Sequence, residues 1–350
     1  METNTTLTNE SVFERYSVSE FSEIFIPNAV KVDRIVSPIW YSIGIIGNLL
    51  STYVWLQKRM RKKNSSAVYL ITLAISDLTF LPLHLLMELK HAWGYPTIDY
   101  PIFCELFNFI YLVPQCLSPL LVLGFTVERW IAICRPFKKQ QYCNTGRAIK
   151  VVIGSIVGAS LICSMQAYLW QYKNGLCEAR QETSQGSLSL FTIWTSITET
   201  IIFGLVPIVI LIFNLLVVRE IRLLASNQIM GGSNHSTATT LMLLSVSFYV
   251  IATTLPVSIL YILGSVIEGG DIHLSDQQIR SDPMWQSYFK FLMVKKVVDE
   301  VCMSHYACNI FIYLITGAKF RQILLKRFNI KDRSDTYFQV SQKISATTAI

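Results

Sequence analysis

Carboxylates stand where the chain is otherwise apolar: Asp77, Glu88, Glu199, Asp299 and Glu300. A carboxylate in such surroundings is costly unless a cation or hydrogen-bond donor accompanies it, so each marks a place where charge is recognised. Arg129 is the cationic counterpart. It follows Glu128 near the end of a run from Cys104 to Pro136 that holds few polar groups. Stepping by three and four along that run puts Tyr111, Gln115, Ser118, Val122, Phe125 and Arg129 on one helix face. With Tyr261, Tyr111 and Gln115 add polar tips on apolar bodies. No HExxH or GxSxG stands in a suitable setting, and no CxxC or Cys/His zinc spacing is present, so bond-making chemistry and a metalloenzyme are not expected. Several carboxylates facing one cavity suit a cation such as an Arg side chain. A competing arrangement is internal: Lys295–Asp299 and Lys296–Glu300 are both i,i+4 pairs and can neutralise each other.

The elements that hold these groups must cross a bilayer. Cys104 and Arg129 are 25 residues apart, about 37 Å at helical rise, against a hydrocarbon core of about 30 Å. Of the 350 residues, 52% are hydrophobic and 15% charged, and mean hydropathy is +0.42. Apolar runs of this kind predict an all-α integral membrane protein. Seven spans are expected, at 36–57, 67–90, 102–134, 148–170, 190–218, 238–267 and 288–316. The net charge of +7 is concentrated in loops, with no basic soluble domain to present it to nucleic acid. Lys58, Arg59, Arg61, Lys62 and Lys63 follow the first span. Arg135, Lys138, Lys139, Arg147 and Lys150 follow the third, and Lys319, Arg321, Lys326, Arg327, Lys331 and Arg333 follow the seventh. The other loops are acidic or mixed. The positive-inside rule therefore places the N-terminus outside a cell-surface membrane and the tail in the cytosol.

That topology sorts the remaining features. Residues 1–35 are an extracellular N-terminus with glycosylation sequons at Asn4 and Asn9, and no signal peptide is recognisable. The sequons at Asn64 and Asn234 fall on the cytosolic side. Cys116, Cys163, Cys302 and Cys308 lie in apolar runs and Cys134 and Cys143 in the cytosol, which leaves Cys104 and Cys177 for a disulfide. Trp40, Trp55, Trp93, Trp170, Trp194 and Trp285 cluster near span ends as interface anchors. Residues 317–329 place Phe320, Leu324 and Phe328 on one face among basic residues, a short amphipathic helix on the inner leaflet and its lipids; a frayed basic tail is the alternative. Residues 330–350 are polar and expected to be disordered.

These residues also carry a family pattern. Gly47-Asn48 in the first span, Leu73-Ala74-Ile75-Ser76-Asp77 in the second, Glu128-Arg129-Trp130 in the third and Asn309-Ile310-Phe311-Ile312-Tyr313 in the seventh resemble the motifs of rhodopsin-like (class A) G-protein-coupled receptors. Pro136, Pro207 and Pro256 stand at the matching prolines, and Cys104 and Cys177 at the matching outer disulfide. The resemblance covers residues 36–329. Departures are Trp130 for the usual Tyr, Thr253-Thr254-Leu255-Pro256 for CWxP, Ile310 for the Pro of NPxxY, Leu215 for a common Tyr, Pro114 and Pro119 in the third span, and no Trp in the fourth.

The resemblance implies a receptor that activates a heterotrimeric G protein, with arrestin as a further partner, and is closest to invertebrate-type neuropeptide receptors of the FMRFamide and thyrotropin-releasing-hormone sort. It implies that Arg129 pairs with Glu128 at rest and meets the G protein when the sixth span, bent at Pro256, moves outward; a snorkelling interfacial Arg is the alternative. It implies that Asp77, Ser118 and Asn309 gather round a sodium ion, the one cofactor expected, since a hard cation takes oxygen ligands. A protonated Asp77 bonded to Asn48 and Asn309 is the alternative. Trp93 is expected against the disulfide. Tyr111 stands where amine receptors carry an Asp, and Met303 where a visual pigment needs its Lys, so neither an amine nor retinal is expected. Glu88, Glu199, Asp299, Tyr111, Gln115 and Tyr261 are the expected ligand contacts, and a basic amidated peptide the expected ligand. A small chemosensory ligand is the alternative, with a transporter or channel behind it; no repeated halves support the latter.

Overall fold

The computed structural model describes residues 10–62, 64–184, 189–226, 234–264, 266–267 and 269–328. Asn4, Asn9, Lys63, Glu268, residue 329 and the tail 330–350 lie outside the described residues. Six helices among those described are long and apolar enough to cross a membrane. They are Pro27–Leu56, Ser66–His91, Phe103–Cys134, Thr145–Leu169, Leu190–Leu224 and Thr239–Gly264. Pro283–Thr316 is the seventh. Its 34 residues include Lys290, Lys295, Lys296, Asp299 and Glu300, so its apolar character is interrupted. In lipid a helix satisfies its own backbone groups, which is why apolar runs of this length settle on no other local structure.

The first span begins at Pro27 rather than residue 36. Proline in a first turn forfeits no intrahelical bond. Lys31, Asp33 and Arg34 lower the local hydropathy and hid this outer turn from a sequence reading, although Asp33 is buried inside the bundle. The seventh span begins at Pro283 rather than 288, with Asp282 as N-cap accepting from the Trp285 backbone at 2.9 Å. The fifth is interrupted by a π-helical stretch at Thr200–Leu205, just before Pro207. Proline cannot donate to the backbone ladder, and such bulges absorb the mismatch.

The first and seventh spans pack closely. A Cβ on Gly44 would lie 3.1 Å from the Ala307 Cα, so glycine there sets the helix separation. Trp55, Tyr313 and Phe320 form one aromatic knot, with Trp55–Tyr313 centroids at 5.6 Å and Tyr313–Phe320 at 5.3 Å. It pins the helix Ala318–Arg327, which turns by 99° from the seventh span. Phe320 and Leu324 are buried there, and Phe328, just past its end, is exposed. The basic segment is thus an ordered amphipathic helix rather than a frayed tail.

A β-hairpin breaks the helical pattern. Strands β1 (Trp170–Lys173) and β2 (Leu176–Ala179) pair antiparallel across Asn174-Gly175. Both turn residues have positive φ, 53° and 83°, the geometry that Asn-Gly turns accept most readily. The residues before the first span also fold. Helices Val12–Arg15 and Val18–Phe25 lie against the connection between the sixth and seventh spans, with Val12, Phe21, Phe25, Ile279 and Trp285 buried together.

Candidate functional site

At one end of the bundle Arg129 is held twice. Its Nη2 lies 3.4 Å from Glu128 Oε1 and donates to Ser66 Oγ. Ser65 Oγ in turn donates to Glu128 Oε1, and Glu128 is 3% exposed. The start of the second span thus fixes both members of the pair, a contribution that local sequence did not announce. Trp130 packs edge-on against Phe213 of the fifth span at 5.3 Å.

Midway along the bundle Asn309 Nδ2 donates to Asp77 Oδ2 at 3.1 Å. Asn48 does not share that bond: its Nδ2 donates to the Tyr306 carbonyl at 2.7 Å, so the Asn48–Asp77 link of the protonated-Asp77 alternative is not formed. The carbonyl is the nearer acceptor because the first and seventh spans touch at Gly44 and Gly47. Asp77 Oδ1, Ser118 Oγ and Asn309 Oδ1 are buried with no hydrogen-bond partner. Tyr313 is buried one turn below in the aromatic knot. Across the interface of the sixth and seventh spans, Tyr249 Oη donates to Ser304 Oγ at 2.7 Å and Thr253 Oγ1 lies 3.3 Å from His305 Nδ1. These contacts sit beside Pro256, which lies inside the sixth helix.

At the opposite end, Cys104 and Cys177 are joined, with Cα atoms 5.5 Å apart. Asp99 Oδ1 fixes the hairpin, accepting from Lys90 Nζ at 2.5 Å and from the Cys177 backbone at 2.6 Å. Trp93 does not cover the disulfide. It is exposed, and the Arg34 guanidinium lies 5.0 Å over its ring. Ile98 and Phe107 are buried with the two cysteines instead. Of the cysteines expected free, Cys116 and Cys163 are buried with sulfurs 3.4 Å apart.

The expected ligand contacts divide into two groups. Glu199 faces Lys295 and Asp299, Tyr261 borders Ser196 and Glu199, and Lys295 lies 3.7 Å from Asp299. Glu88 belongs to a second group with Asp33, Lys296 and Glu300. Of the competing internal pairs, Lys296–Glu300 is not formed. Lys296 Nζ bonds Asp33 Oδ2 at 2.6 Å, while Glu300 Oε1 accepts from Ser37 Oγ at 2.5 Å. Lys296 thus joins the first span, and Glu300 takes a hydroxyl donor from that same span in its place. Tyr111 lies between the groups, stacked on Phe107 at 5.7 Å, and Gln115 Nε2 donates back to the Tyr111 carbonyl at 3.2 Å. Asp33 and Ser37 are functional candidates that the sequence concealed; an acid flanked by Lys31 and Arg34 reads as an exposed loop.

The chain matches the family described as 7 transmembrane receptor (rhodopsin family) over residues 47–313. It is similar to human neuromedin-U receptor 2, 31% identical over 145 residues, covering 41% of this chain and 33% of that protein. It is similar to the thyrotropin-releasing hormone receptor of Gallus gallus, 31% identical over 132 residues, 36% of this chain and 32% of that one. It is similar to the pyrokinin-1 receptor of Drosophila melanogaster, 30% identical over 120 residues, 34% of this chain and 28% of that one. The matched stretch thus spans about a third of the length of these relatives. With seven helices, the disulfide-tethered hairpin and the Glu128–Arg129 pair in place, the chain is a multi-pass membrane protein and belongs to the rhodopsin family of seven-transmembrane receptors.

Proposed function

We propose that this chain is a cell-surface receptor for a basic extracellular peptide and that it activates a heterotrimeric G protein. One observation carries the reading. Arg129 is restrained at one end of a bundle whose other end presents buried carboxylates on its first, second and seventh helices and a half-buried one on its fifth. A ligand can only shift such a bundle if it binds the active state better than the resting one. Breaking the Glu128–Arg129–Ser66 contacts while the sixth span swings at Pro256 supplies the two states. The relatives named for neuromedin U, thyrotropin-releasing hormone and pyrokinin support a peptide as the ligand. In this reading the Cys104–Cys177 end, with Glu88, Glu199, Asp299, Tyr111, Gln115 and Tyr261, receives the peptide outside the cell. The Arg129 end meets the G protein, and arrestin after it. Residues 1–35 are an extracellular segment carrying glycans at Asn4 and Asn9, 36–316 the receptor domain, 317–329 the inner-leaflet helix and 330–350 a cytoplasmic tail.

The same reading assigns Asp77, Ser118 and Asn309 to an allosteric sodium ion. Their orphaned buried oxygens fit a hard cation, which takes oxygen donors. When bound, the ion supplies the charge that offsets a carboxylate in the middle of the bundle. Asn309 holds the Asp77 carboxylate in place whether or not the ion is bound.

The test is a calcium and cyclic-nucleotide response in cells expressing the receptor, screened against amidated neuropeptides. A potent response that disappears in Arg129→Ala with surface expression intact is expected. Silence across the library at good surface expression would overturn the peptide assignment.

A further inference from the structure

The cluster formed by the first, second and seventh spans gathers three carboxyl groups around one cation. Asp33, Glu88 and Glu300 are 3%, 7% and 6% exposed, and their side chains face one another. Lys296, on Asp33 Oδ2 at 2.6 Å, is the cation among them. Neighbouring polar groups are already engaged elsewhere. Tyr41 Oη lies 2.8 Å from His84 Nδ1, and Asp299 has Lys295. Ser37 satisfies one oxygen of Glu300. What remains is a set of buried oxygens without a donor: Asp33 Oδ1, Glu88 Oε1 and Glu300 Oε2.

We propose that Asp33, Glu88 and Glu300 form a binding site for a guanidinium or primary ammonium group, in which Lys296 is a tethered cation that the incoming group displaces from Asp33. Orphaned buried acceptors are expensive, and carboxyl groups brought face to face need a cation or a shared proton between them. A guanidinium presents five N–H donors in a rigid fork, enough for every open oxygen, and an ammonium presents three. A carbonyl-bearing or anionic ligand supplies none. The site opens through Lys296, whose side chain is 32% exposed while that of Asp33 is 4% exposed. The group that closes the entrance is therefore the one that must yield. Displacement exchanges the Lys296–Asp33 link between the seventh and first spans for one made through the ligand, so ligand charge and helix contact are one event.

The inference rests on this end of the bundle being the ligand-binding end, and its test reads binding rather than signalling. Full-length receptor in lipid nanodiscs is heated with L-argininamide and with L-citrullinamide, both acetylated on the α-nitrogen so that the citrulline compound is a neutral isostere, and with tetramethylammonium, which has no N–H donors. L-Argininamide is expected to raise Tm saturably and the two controls to leave it unchanged. Lys296→Met removes the competing cation, so its half-saturating concentration falls ~tenfold, the equivalent of one lost ion-pair contact. Lys296→Gln serves the same purpose should the methionine variant not fold. In Asp33→Asn/Glu300→Gln the L-argininamide effect disappears, while Glu105→Gln, at a carboxylate of the same end that accepts from the Tyr172 backbone, retains it. The single Glu300→Gln variant, which still accepts from Ser37, weakens it and covers a failure of the double variant to fold. An equal response in Asp33→Asn/Glu300→Gln, a response to L-citrullinamide, or an unchanged midpoint on removing Lys296 overturns the proposal. A silent peptide screen leaves it standing, and its failure leaves the receptor assignment standing.

Discussion

At Asp77 one carboxylate oxygen is occupied and the other is not. Asn309 donates to Oδ2 at 3.1 Å, while Oδ1, Ser118 Oγ and Asn309 Oδ1 lack partners. A carboxylate in hydrocarbon surroundings is held there by a cation or by a proton, and the two differ in salt dependence. With a sodium ion, replacing sodium chloride by choline chloride at constant ionic strength changes agonist affinity about fivefold, within the usual range of coupling between two sites. Asp77→Asn removes that dependence and keeps the bond to Asn309. Radioligand displacement in membranes at the two salts measures both. Affinity indifferent to sodium in the unmodified receptor would give the site to a proton instead. His305 is the unabsorbed neighbour: its Nε2 is buried and without a partner, and its Nδ1 reaches Thr253 of the sixth span. Thr254 stands at the Trp of the CWxP pattern, and beside it the sixth and seventh spans meet through the polar Thr253–His305 contact.

The element that the chain adds to its bundle is the pair of short helices before the first span. Val12 donates its backbone N–H to the Ile272 carbonyl at 2.8 Å. Arg15 Nη1 bonds Asp276 Oδ1 at 2.8 Å, and Tyr16 Oη donates to Asp276 Oδ2 at 2.5 Å. The Asp276 carboxylate holds the Tyr16 phenol above its ordinary range. On the other side Arg34 ties Glu23 to the Ala92 carbonyl, so this cap bridges the second span and the connection into the seventh. The Arg15–Asp276 pair is partly exposed, which limits it to about 1 kcal/mol. Arg15→Glu is expected to lower hydrogen-exchange protection of the Val12 amide about fivefold, the equivalent of that energy, and Arg15→Glu/Asp276→Arg to restore it. No recovery in the swapped pair would mean that the apolar contacts of Phe21, Phe25 and Trp285 hold the cap unaided. The cap also has an acid limit. Hydrogen bonds from Ser11 and Ser17 keep Glu14 and Glu20 below their ordinary value of 4.5. A lowered carboxyl stabilises the folded cap above that value and loses its contribution as pH falls through the lowered one, so the two first turns fray on acidification and not on raising the pH. None of this was legible in the sequence, where residues 1–35 read as a polar extracellular segment. Hydropathy averages over a window, and the buried face of Val12, Phe21 and Phe25 is diluted by the serines and acids between them.

Across the whole molecule, what the sequence displays is what lipid enforces. Apolar length locates the spans, and alternation of charge between their connections orders them, because each signal is summed over many residues. The Cys104–Cys177 link survives the same way, by elimination among eight cysteines. Pairings between distant helices are not summed over anything. Lys296 reads locally as the partner of Glu300 and binds Asp33 instead, and Glu88 is drawn away from Glu199 by that same cluster. The topology itself rests on charge. Lys58, Arg59, Arg61, Lys138, Lys139, Lys319 and Arg321 all follow odd-numbered spans, at the end where Trp55 packs on Phe320. Asp99, Asp271, Asp276 and Asp282 follow even-numbered ones. Cationic residues resist transfer across the bilayer, so the proposed orientation keeps the Arg129 end in the cytosol and exports the disulfide end. Glycosylation then discriminates, since its machinery reaches the exported side alone. Peptide N-glycosidase is expected to shift the electrophoretic mobility of the receptor from cells, and Asn4→Gln/Asn9→Gln to abolish that shift. Asn64→Gln and Asn234→Gln should leave it unchanged. A glycan at Asn64 or Asn234 would invert the orientation, put the carboxylate clusters in the cytosol and remove the basis for an extracellular basic ligand.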